Sequence, residues 1–554
     1  MKWSTACPDW ERRVKDPEGR LIPFDPLFPE EATSALEVFN QLRVVDVIGS
    51  PLMADISRPW LVDFVKAVFG SYNPETGRRL ISEFFLLISK KNSKSTSAAG
   101  IMLTALIRNW RKSAEYLIVA PTIEIANNSF YPARDMVRAD NELQDLLHVQ
   151  EHTRTITHRG TRASLKVVAA DAETVGGKKA TGVLVDELWL FGKKANAENM
   201  LREATGGLAS RPEGFTIFLS TQSDEPPVGL FRQKLQYARA VRDGAVEDNR
   251  FLPVIYEFPE KMVEKKSYMR PRNFYISNPN LGASVDDEFL RRELQKAEND
   301  GEESLRGFLA KHLNVEIGLA LRSDRWVGAD FWESSAIETL SLEELIERSE
   351  VATIGIDGGG LDDMLGMSVI GRDAETGKWL LWSHAWIHPI VLERRKSEAT
   401  KFRDFEKDGD LTIVSDIGED IEQVADFVEK IEDASLLDRI GVDQAGIGAI
   451  VDAIVERNIN HDRIVGIPQG WRLVGAIKTA ERKLAEKAML HGNQRMMSWC
   501  VGNAKVEPRG NAILITKQAS GSAKIDPLMA AFDAVALMAM DPKPRSKRYQ
   551  VFFV

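Results

Sequence analysis

A lysine followed by a hydroxyl residue, Lys94-Ser95, and a pair of acids, Asp186-Glu187, are the residue types that hydrolysis of a phosphoanhydride needs. The lysine can reach the β- and γ-phosphates and the serine hydroxyl can bind Mg²⁺. Of the two carboxylates, Asp186 can complete the Mg²⁺ shell and Glu187 can orient and deprotonate the attacking water. An acidic pair at a strand end is otherwise a solvated turn.

The elements around Lys94 are those that would aim it. Phe84-Phe85-Leu86-Leu87-Ile88 reads as a buried strand, Ser89 to Ser93 as a polar turn, and Ser95-Thr96 as the opening of a helix with apolar spacing through Ile101, Leu103 and Leu106. Strand, loop, helix is the layout of a phosphate-binding loop, in which backbone N–H groups and a helix N-terminus cradle phosphate oxygens. The nucleotide-binding stretch is then Lys90, Lys91, Asn92, Ser93, Lys94, Ser95 and Thr96. Against the pattern G-x-x-x-x-G-K-[ST], Ile88 replaces the first glycine and Ser93 the second. A left-handed Ser93 would cost about 1 kcal/mol, which phosphate contacts can offset. A basic surface turn is the alternative.

The acids follow a short apolar strand, Gly182 to Val185, and a third strand, Phe215 to Leu219, ends in Ser220, Thr221 and Gln222, polar groups able to sense the γ-phosphate and pass on its loss. Upstream, Trp60, Leu61, Phe64, Val65, Val68 and Phe69 have helical spacing before Gly70. Trp60 reads either as a base-stacking residue or as a core anchor. Strands at 115–122, broken by Pro121, and at 165–169, with a helix from Ile123, give the alternation of a parallel sheet covered on both faces. Residues 250–320 are charged and helical, including the stretch from Asp287 to Leu313.

A second set of acids lies further on. Asp357 ends an apolar strand and precedes three glycines, which permit close approach to its carboxylate; Asp443 ends the strand from Ile440; Asp526 opens the helix from Leu528 to Met540. Asp526 before Pro527 also reads as a helix cap. Asp533 falls on the same helix face, about 10 Å along the axis.

At 554 residues the chain needs two or three domains, and 44% hydrophobic with 28% charged residues is the balance of a globular protein. No stretch has signal-peptide or membrane-spanning character. Cys7 and Cys500 cannot make a disulfide framework or a cysteine zinc site, so metal must be held by oxygen. A net charge of −10 argues against nonspecific coating of nucleic acid, leaving short basic tracks at Lys90-Lys91, Lys178-Lys179, Arg291-Arg292, Arg394-Arg395-Lys396 and Lys543 to Arg548.

Lys90-Lys91-Asn92-Ser93-Lys94-Ser95, Val185-Asp186-Glu187 and Ser220-Thr221-Gln222-Ser223 resemble the Walker A, Walker B and coupling motifs of the large terminase subunits of tailed bacteriophages. Asp357, Asp443 and Asp526 resemble the acidic triad of the ribonuclease-H-like nuclease that such proteins carry after the ATPase. The resemblance covers about residues 20–541. It implies an α/β chain with an arm (1–55), a P-loop ATPase domain with a helical lid (56–325), a linker (326–350), a ribonuclease-H-like nuclease domain (351–541) and a basic tail (542–554). It implies ATP with Mg²⁺ at Ser95 and Asp186, and two Mg²⁺ or Mn²⁺ ions at the nuclease acids, with Asp526 or Asp533 as the third ligand. Catalysis would fall to Glu187, Asp357, Asp443 and Asp526. The implied partners are double-stranded DNA, a small terminase subunit, the portal protein of the procapsid and further copies in a ring, with no membrane, in the host cytoplasm and transiently on the procapsid. Arg134, Arg138, Arg202 and Arg211 are open as arginine finger. A repair or recombination helicase with a fused nuclease would share these acids but should carry a second motor domain; a structural assembly protein with a degenerate nucleotide site is the non-enzymatic alternative.

Overall fold

An unbroken apolar run suits a strand with both faces covered, and Phe84, Phe85, Leu86 and Leu87 are all buried. In the computed structural model they form β1 (Glu83–Leu87), with Phe84 edge-on to Phe64 of helix α1 (Pro59–Phe69) and Phe85 on the other face in a core with Phe231, Leu235 and Val241. The structure describes residues 3–169, 180–194, 197–317, 326–395, 398–443, 448–509, 512–517 and 524–545. Lys178-Lys179, Lys396 and the tail after Arg545 lie outside these. The chain divides into two compact units, Met1–Gly318 and Leu319–Val554.

The first unit holds an eight-stranded sheet. After β1 come α2 (Lys94–Ile107), β2 (Glu115–Ala120), α3 (Ile123–Arg138), β3 (Leu147–Gln150), β4 (Thr155–His158), β5 (Ser164–Ala169) and β6 (Ala180–Val185). A short helix α4 (Leu188–Phe191), β7 (Phe215–Ser220) and β8 (Phe251–Ile255) follow. The strand order is β8-β1-β7-β6-β2-β5-β4-β3, parallel from β8 to β5, with β4 and β3 antiparallel at the end. Pro253 can neither donate to a ladder nor sit in mid-sheet without loss, and β8 is an edge strand. The charged stretch from Asp287 is two helices, Asp287–Asp300 and α5 (Glu302–Leu313), because Gly301 at φ 104° breaks the run.

In the second unit β9 (Ser349–Gly358), β10 (Met364–Asp373) and β11 (Trp379–Ile387) form an antiparallel meander. With β12 (Leu411–Ile413), β13 (Leu437–Val442), β14 (Ile464–Gly466) and β15 (Met489–His491), the order is β12-β11-β10-β9-β13-β14, with β15 beside β11. β13 joins β9 in parallel, which brings the ends of the strands bearing Asp357 and Asp443 side by side. Helix α6 (Asp526–Met538) lies against this sheet where glycines leave the backbone bare: a Cβ on Gly355 would collide with the Ala530 carbonyl, and one on Gly366 with the Asp526–Pro527 peptide. Thr353 Oγ1 donates to the Ala534 carbonyl at 2.9 Å and Ser368 Oγ to that of Pro527 at 2.8 Å, fixing the helix along its length. Apolar residues alternate between two cores, Ile354, Met367 and Val424 in one, Ile370, Phe532 and Val535 in the other. The stretch read as a linker contains helices Ala329–Trp332 and Leu342–Arg348, with Trp326 and Trp332 fully buried in the second core.

Candidate active sites

Because β1, β7 and β6 are parallel neighbours, the loop 89–93, Ser220-Thr221-Gln222 and Asp186-Glu187 all emerge at the carboxyl ends of the strands of the first sheet. Lys94 Nζ donates to Glu187 Oε1 at 2.9 Å, and Ser95 Oγ lies 3.5 Å from Asp186 Oδ2. Ser129 Oγ donates to the same Asp186 oxygen at 2.8 Å, and the Glu187 N–H to Asp186 Oδ1 at 2.9 Å. Burial raises the carboxyl of Asp186 above its ordinary range, an effect that the Lys94 charge opposes and the Glu187 charge reinforces. Burial would raise Glu187 too, but the Lys94 ammonium, through charge and hydrogen bond, brings it below its ordinary value, helped by Trp189 and Lys90. Glu187 is thus ionised. A buried carboxylate with two hydroxyls beside it is a hard-oxygen set that fits Mg²⁺.

Ser93 is left-handed, at φ 55°, as the missing glycine requires, and so is Lys91 at φ 71°. The loop is braced from behind. Wholly buried Asn92 donates to the carbonyl of Ser89 at 3.1 Å and to Asn278 Oδ1 at 2.9 Å, and accepts the Asn280 N–H at 3.0 Å. Ser284 Oγ donates to the Lys91 carbonyl at 2.6 Å, and the Lys90 N–H to the carbonyl of Lys311 in α5 at 2.7 Å. Asn92 therefore holds the loop from inside, while the Lys90 and Lys91 side chains are exposed at its rim. Trp60 is half-buried, donates to Asn280 Oδ1 at 2.7 Å and meets Tyr256 edge-on. Thr96 lies on the wall of a cavity of about 170 Å³ shared with Arg43, Tyr131 and Asp135. Ser220, Thr221 and Gln222 are fully buried, and among the described residues the Gln222 amide and the Thr221 hydroxyl have no hydrogen-bond partner. Of the open arginines, Arg134 and Arg138 pair with Glu151, Arg211 bonds the Ser210 carbonyl and Arg202 is exposed.

Spacing did not reveal Ser129, Trp189 or Lys311. Trp189 Nε1 donates to Glu187 Oε2 at 2.5 Å, and Lys311 Nζ stands 2.9 Å from the centre of the Trp189 ring and donates to the Gln222 carbonyl at 2.8 Å. An aromatic two residues after the acidic pair was the available sign for the first; nothing local marks a lysine in a distant helix.

In the second unit Asp357, Asp443, Asp526 and Asp533 are brought to one region. A Cβ on Gly358 would lie 3.2 Å from Asp526 Oδ1, which places that carboxylate beside the end of β9. Burial, then the charges of Asp526 and Asp443, push Asp357 up to about 8. Burial and the charges of Asp357 and Asp443 likewise push Asp533 up to about 8, against a hydrogen bond from Gln469 Nε2 at 3.0 Å. Gln469 is a further residue the sequence did not mark. Among the described residues no three such side chains close to a metal-ligating cage. All-oxygen donors of this kind fit hard divalent cations. The cap reading of Asp526 is corrected: the N-cap is Ile525, Asp526 is already helical, and no side chain caps this end.

The terminase large subunit endonuclease-domain model matches residues 245–541. The chain belongs to the terminase large subunit family. The ATPase-domain model of the same family matches residues 59–240, so this terminase chain carries an ATPase domain followed by an endonuclease domain, with the two activities that DNA packaging and cutting require. It is 21% identical over 481 residues to the terminase large subunit of Lactococcus phage p2, covering 83% of each chain. It is 23% identical over 303 residues to Protein YmfN of Escherichia coli (strain K12), a match spanning 53% of the chain and 64% of that relative. The crystal structure of the HK97 bacteriophage large terminase aligns over 91% of this chain and 99% of its own, at 19% identity and a TM-score of 0.46. The second unit of the terminase chain opens on an antiparallel meander unlike the parallel sheet of the first, which removes the reading as a helicase with a repeated motor domain.

Proposed function

We propose that the chain is the motor and nuclease of phage genome packaging, and that Lys94, Ser95, Asp186 and Glu187 perform the hydrolysis. What supports this most is the Lys94–Glu187 pair with the Ser95–Asp186 approach, an arrangement in which catalytic groups hold one another until phosphate arrives. Lys94 leaves Glu187 for the β- and γ-phosphates, and the freed carboxylate accepts a proton from water. Ser95 and Asp186 would hold Mg²⁺, which would supply neutralisation of charge on the phosphates. The buried, unpaired polar groups of Thr221 and Gln222 support a coupling role for Ser220-Thr221-Gln222. The nucleoside falls towards the cavity beside Thr96 or towards Trp60.

In the second unit Asp357, Asp443 and Asp526 would hold divalent ions, with Asp533 as supporting acid oriented by Gln469. Bound there, such ions would supply activation of water and stabilisation of the leaving oxygen of a phosphodiester. The substrate is double-stranded DNA, and the partners are a small terminase subunit, a procapsid portal and further copies of the chain. Several copies are needed because the basic tracks are short and partly neutralised: Arg291 pairs with Asp287, Arg394 with Asp362 and Arg545 with Glu432. The test is reconstitution with portal-bearing procapsids, double-stranded DNA and ATP, scored as DNA protected from added nuclease. Protection is expected with the parental chain and none with Glu187→Gln; equal protection in both would remove the motor reading.

A further inference from the structure

Three parts of the first unit meet on one side chain that no motif marks. Trp189 lies in α4, the short helix that Glu187 opens at φ 53°, and is half-buried. Its indole N–H holds Glu187 Oε2 at 2.5 Å while Lys94 holds Oε1 at 2.9 Å, so both carboxylate oxygens are engaged. Its backbone N–H donates to Ser220 Oγ at 3.1 Å, the first residue of the coupling stretch. Its ring face carries the ammonium of Lys311, which also donates to the Gln222 carbonyl. Lys311 is buried on α5, and its own carbonyl accepts the Lys90 N–H of the phosphate loop.

We propose that Trp189 is a positioning residue for Glu187, and that Lys311, by sitting on its indole, ties the position of the base to helix α5 and the coupling stretch. This rests on Glu187 being the base. When Lys94 turns to phosphate, Glu187 keeps one fixed contact, the indole N–H, and that contact sets where the carboxylate points. The ammonium on the ring face fixes the plane of the indole; a shift of α5 moves the ammonium, then the ring, then the carboxylate. Burial is the main influence lowering Lys311 to about 7, and Lys90 and Lys94 lower it further while Asp224 and Glu187 oppose them, so a change in phosphate-loop charge is felt at this lysine.

The test is steady-state ATP hydrolysis by the full chain. Trp189→Phe removes the N–H and keeps a ring; kcat should fall about tenfold with KM within about twofold, as for a lost hydrogen bond to a charged group that matters in the transition state. Trp189→His, with a ring N–H restored, should recover part of the rate, which simple packing would not do. Lys311→Met reads the same relay without touching the indole: kcat should fall about threefold, and the double variant should be no slower than Trp189→Phe alone. Parental kcat in Trp189→Phe while Glu187→Gln is inactive would overturn the inference alone, as would effects of Trp189→Phe and Lys311→Met that multiply. Turnover surviving in Glu187→Gln would overturn the underlying reading and this one with it.

Discussion

Both sites stand at the carboxyl ends of adjacent strands, yet they treat charge in opposite ways. In the first unit each acid has a partner from the chain itself, Glu187 between Lys94 and Trp189, Asp186 between Ser95 and Ser129. In the second, Asp357 and Asp533 are both pushed up to about 8, with neighbouring acids adding to the effect of burial. In the first, a ligand that took up Lys94 would have to displace it from Glu187. In the second, burial and neighbouring acids favour the protonated form of Asp357 and Asp533, and a divalent cation would favour the ionised form instead.

The sharpest break between the two comes from removing one group from each. Glu187→Gln keeps shape and loses the base, so ATP turnover should fall roughly 10²- to 10⁴-fold while DNA cleavage continues, and Lys94→Ala should behave alike. Asp357→Ala and Asp443→Ala should do the reverse, abolishing cleavage of a plasmid at parental ATP turnover. Parental hydrolysis in Lys94→Ala would end the phosphate-loop assignment, and cleavage surviving in both aspartate variants would end the nuclease one.

Next in size is the choice of third ligand. No cap hydrogen bond is made at the start of α6, so Asp526→Ala has no capping contribution to lose and should stop cleavage. Asp533, wholly buried and held by Gln469, should slow cleavage severalfold when changed to Asn. Normal cutting by Asp526→Ala with none by Asp533→Asn would move the ligand two turns along the helix.

Metal and pH should then separate the units. A carboxyl whose folded value is raised, as at Asp357 and Asp533, holds its proton longer in the folded state than in the unfolded chain. Stability of the metal-free protein is therefore unaffected below the unfolded value near 4 and falls progressively as pH rises from about 4 to about 8. In chelator, the melting transition of the second unit should drop between pH 5 and 8, and Mg²⁺ or Mn²⁺ should restore more at pH 8 than at pH 5. A metal effect independent of pH would mean the ions do not bind these acids. A smaller, purely steric effect belongs to the same unit: Gly355→Ala drives a methyl at the Ala530 carbonyl and should cost about 1–3 kcal/mol, lowering that transition and leaving ATP turnover alone.

Much of this was legible because it is local. An apolar run ending in Asp-Glu is a strand with acids at its end whatever surrounds it, and Lys94-Ser95 opening a helix needs only its neighbours. Strand order is not local: that β7 falls between β1 and β6, and so brings Ser220 to the acids, is settled by packing of both sheet faces. The same holds for Lys311, which reaches Trp189 only because α5 packs there, and for Gly355 and Gly366, whose meaning appears only when α6 lies on them. At Asp526 the Asp-Pro pair has the local meaning of a cap, whereas packing starts the helix one residue earlier.

The smallest expected effect concerns the residue where sequence and pattern disagree. Ser93 sits at φ 55°, ψ 24°, a conformation that costs a non-glycine residue about 1 kcal/mol. The Asn92 bonds to Ser89, Asn278 and Asn280, with Ser284 on Lys91, hold the loop there without phosphate. Ser93→Gly relieves the strain but frees the unfolded chain, a cost of about 0.4–1 kcal/mol, so the two nearly cancel. Melting temperature should move by no more than about 2 °C and ATP turnover by less than about twofold. Breaking the brace should do more: Asn92→Ala leaves the Asn280 N–H and Ser89 carbonyl buried without their partner, about 1–3 kcal/mol. In Asn92→Ala the left-handed turn at residue 93 has lost its support, so adding Ser93→Gly should recover part of the lost turnover. If Ser93→Gly is as harmful alone as Asn92→Ala, the serine hydroxyl has a role of its own at the phosphates, and the loop's departure from glycine is functional.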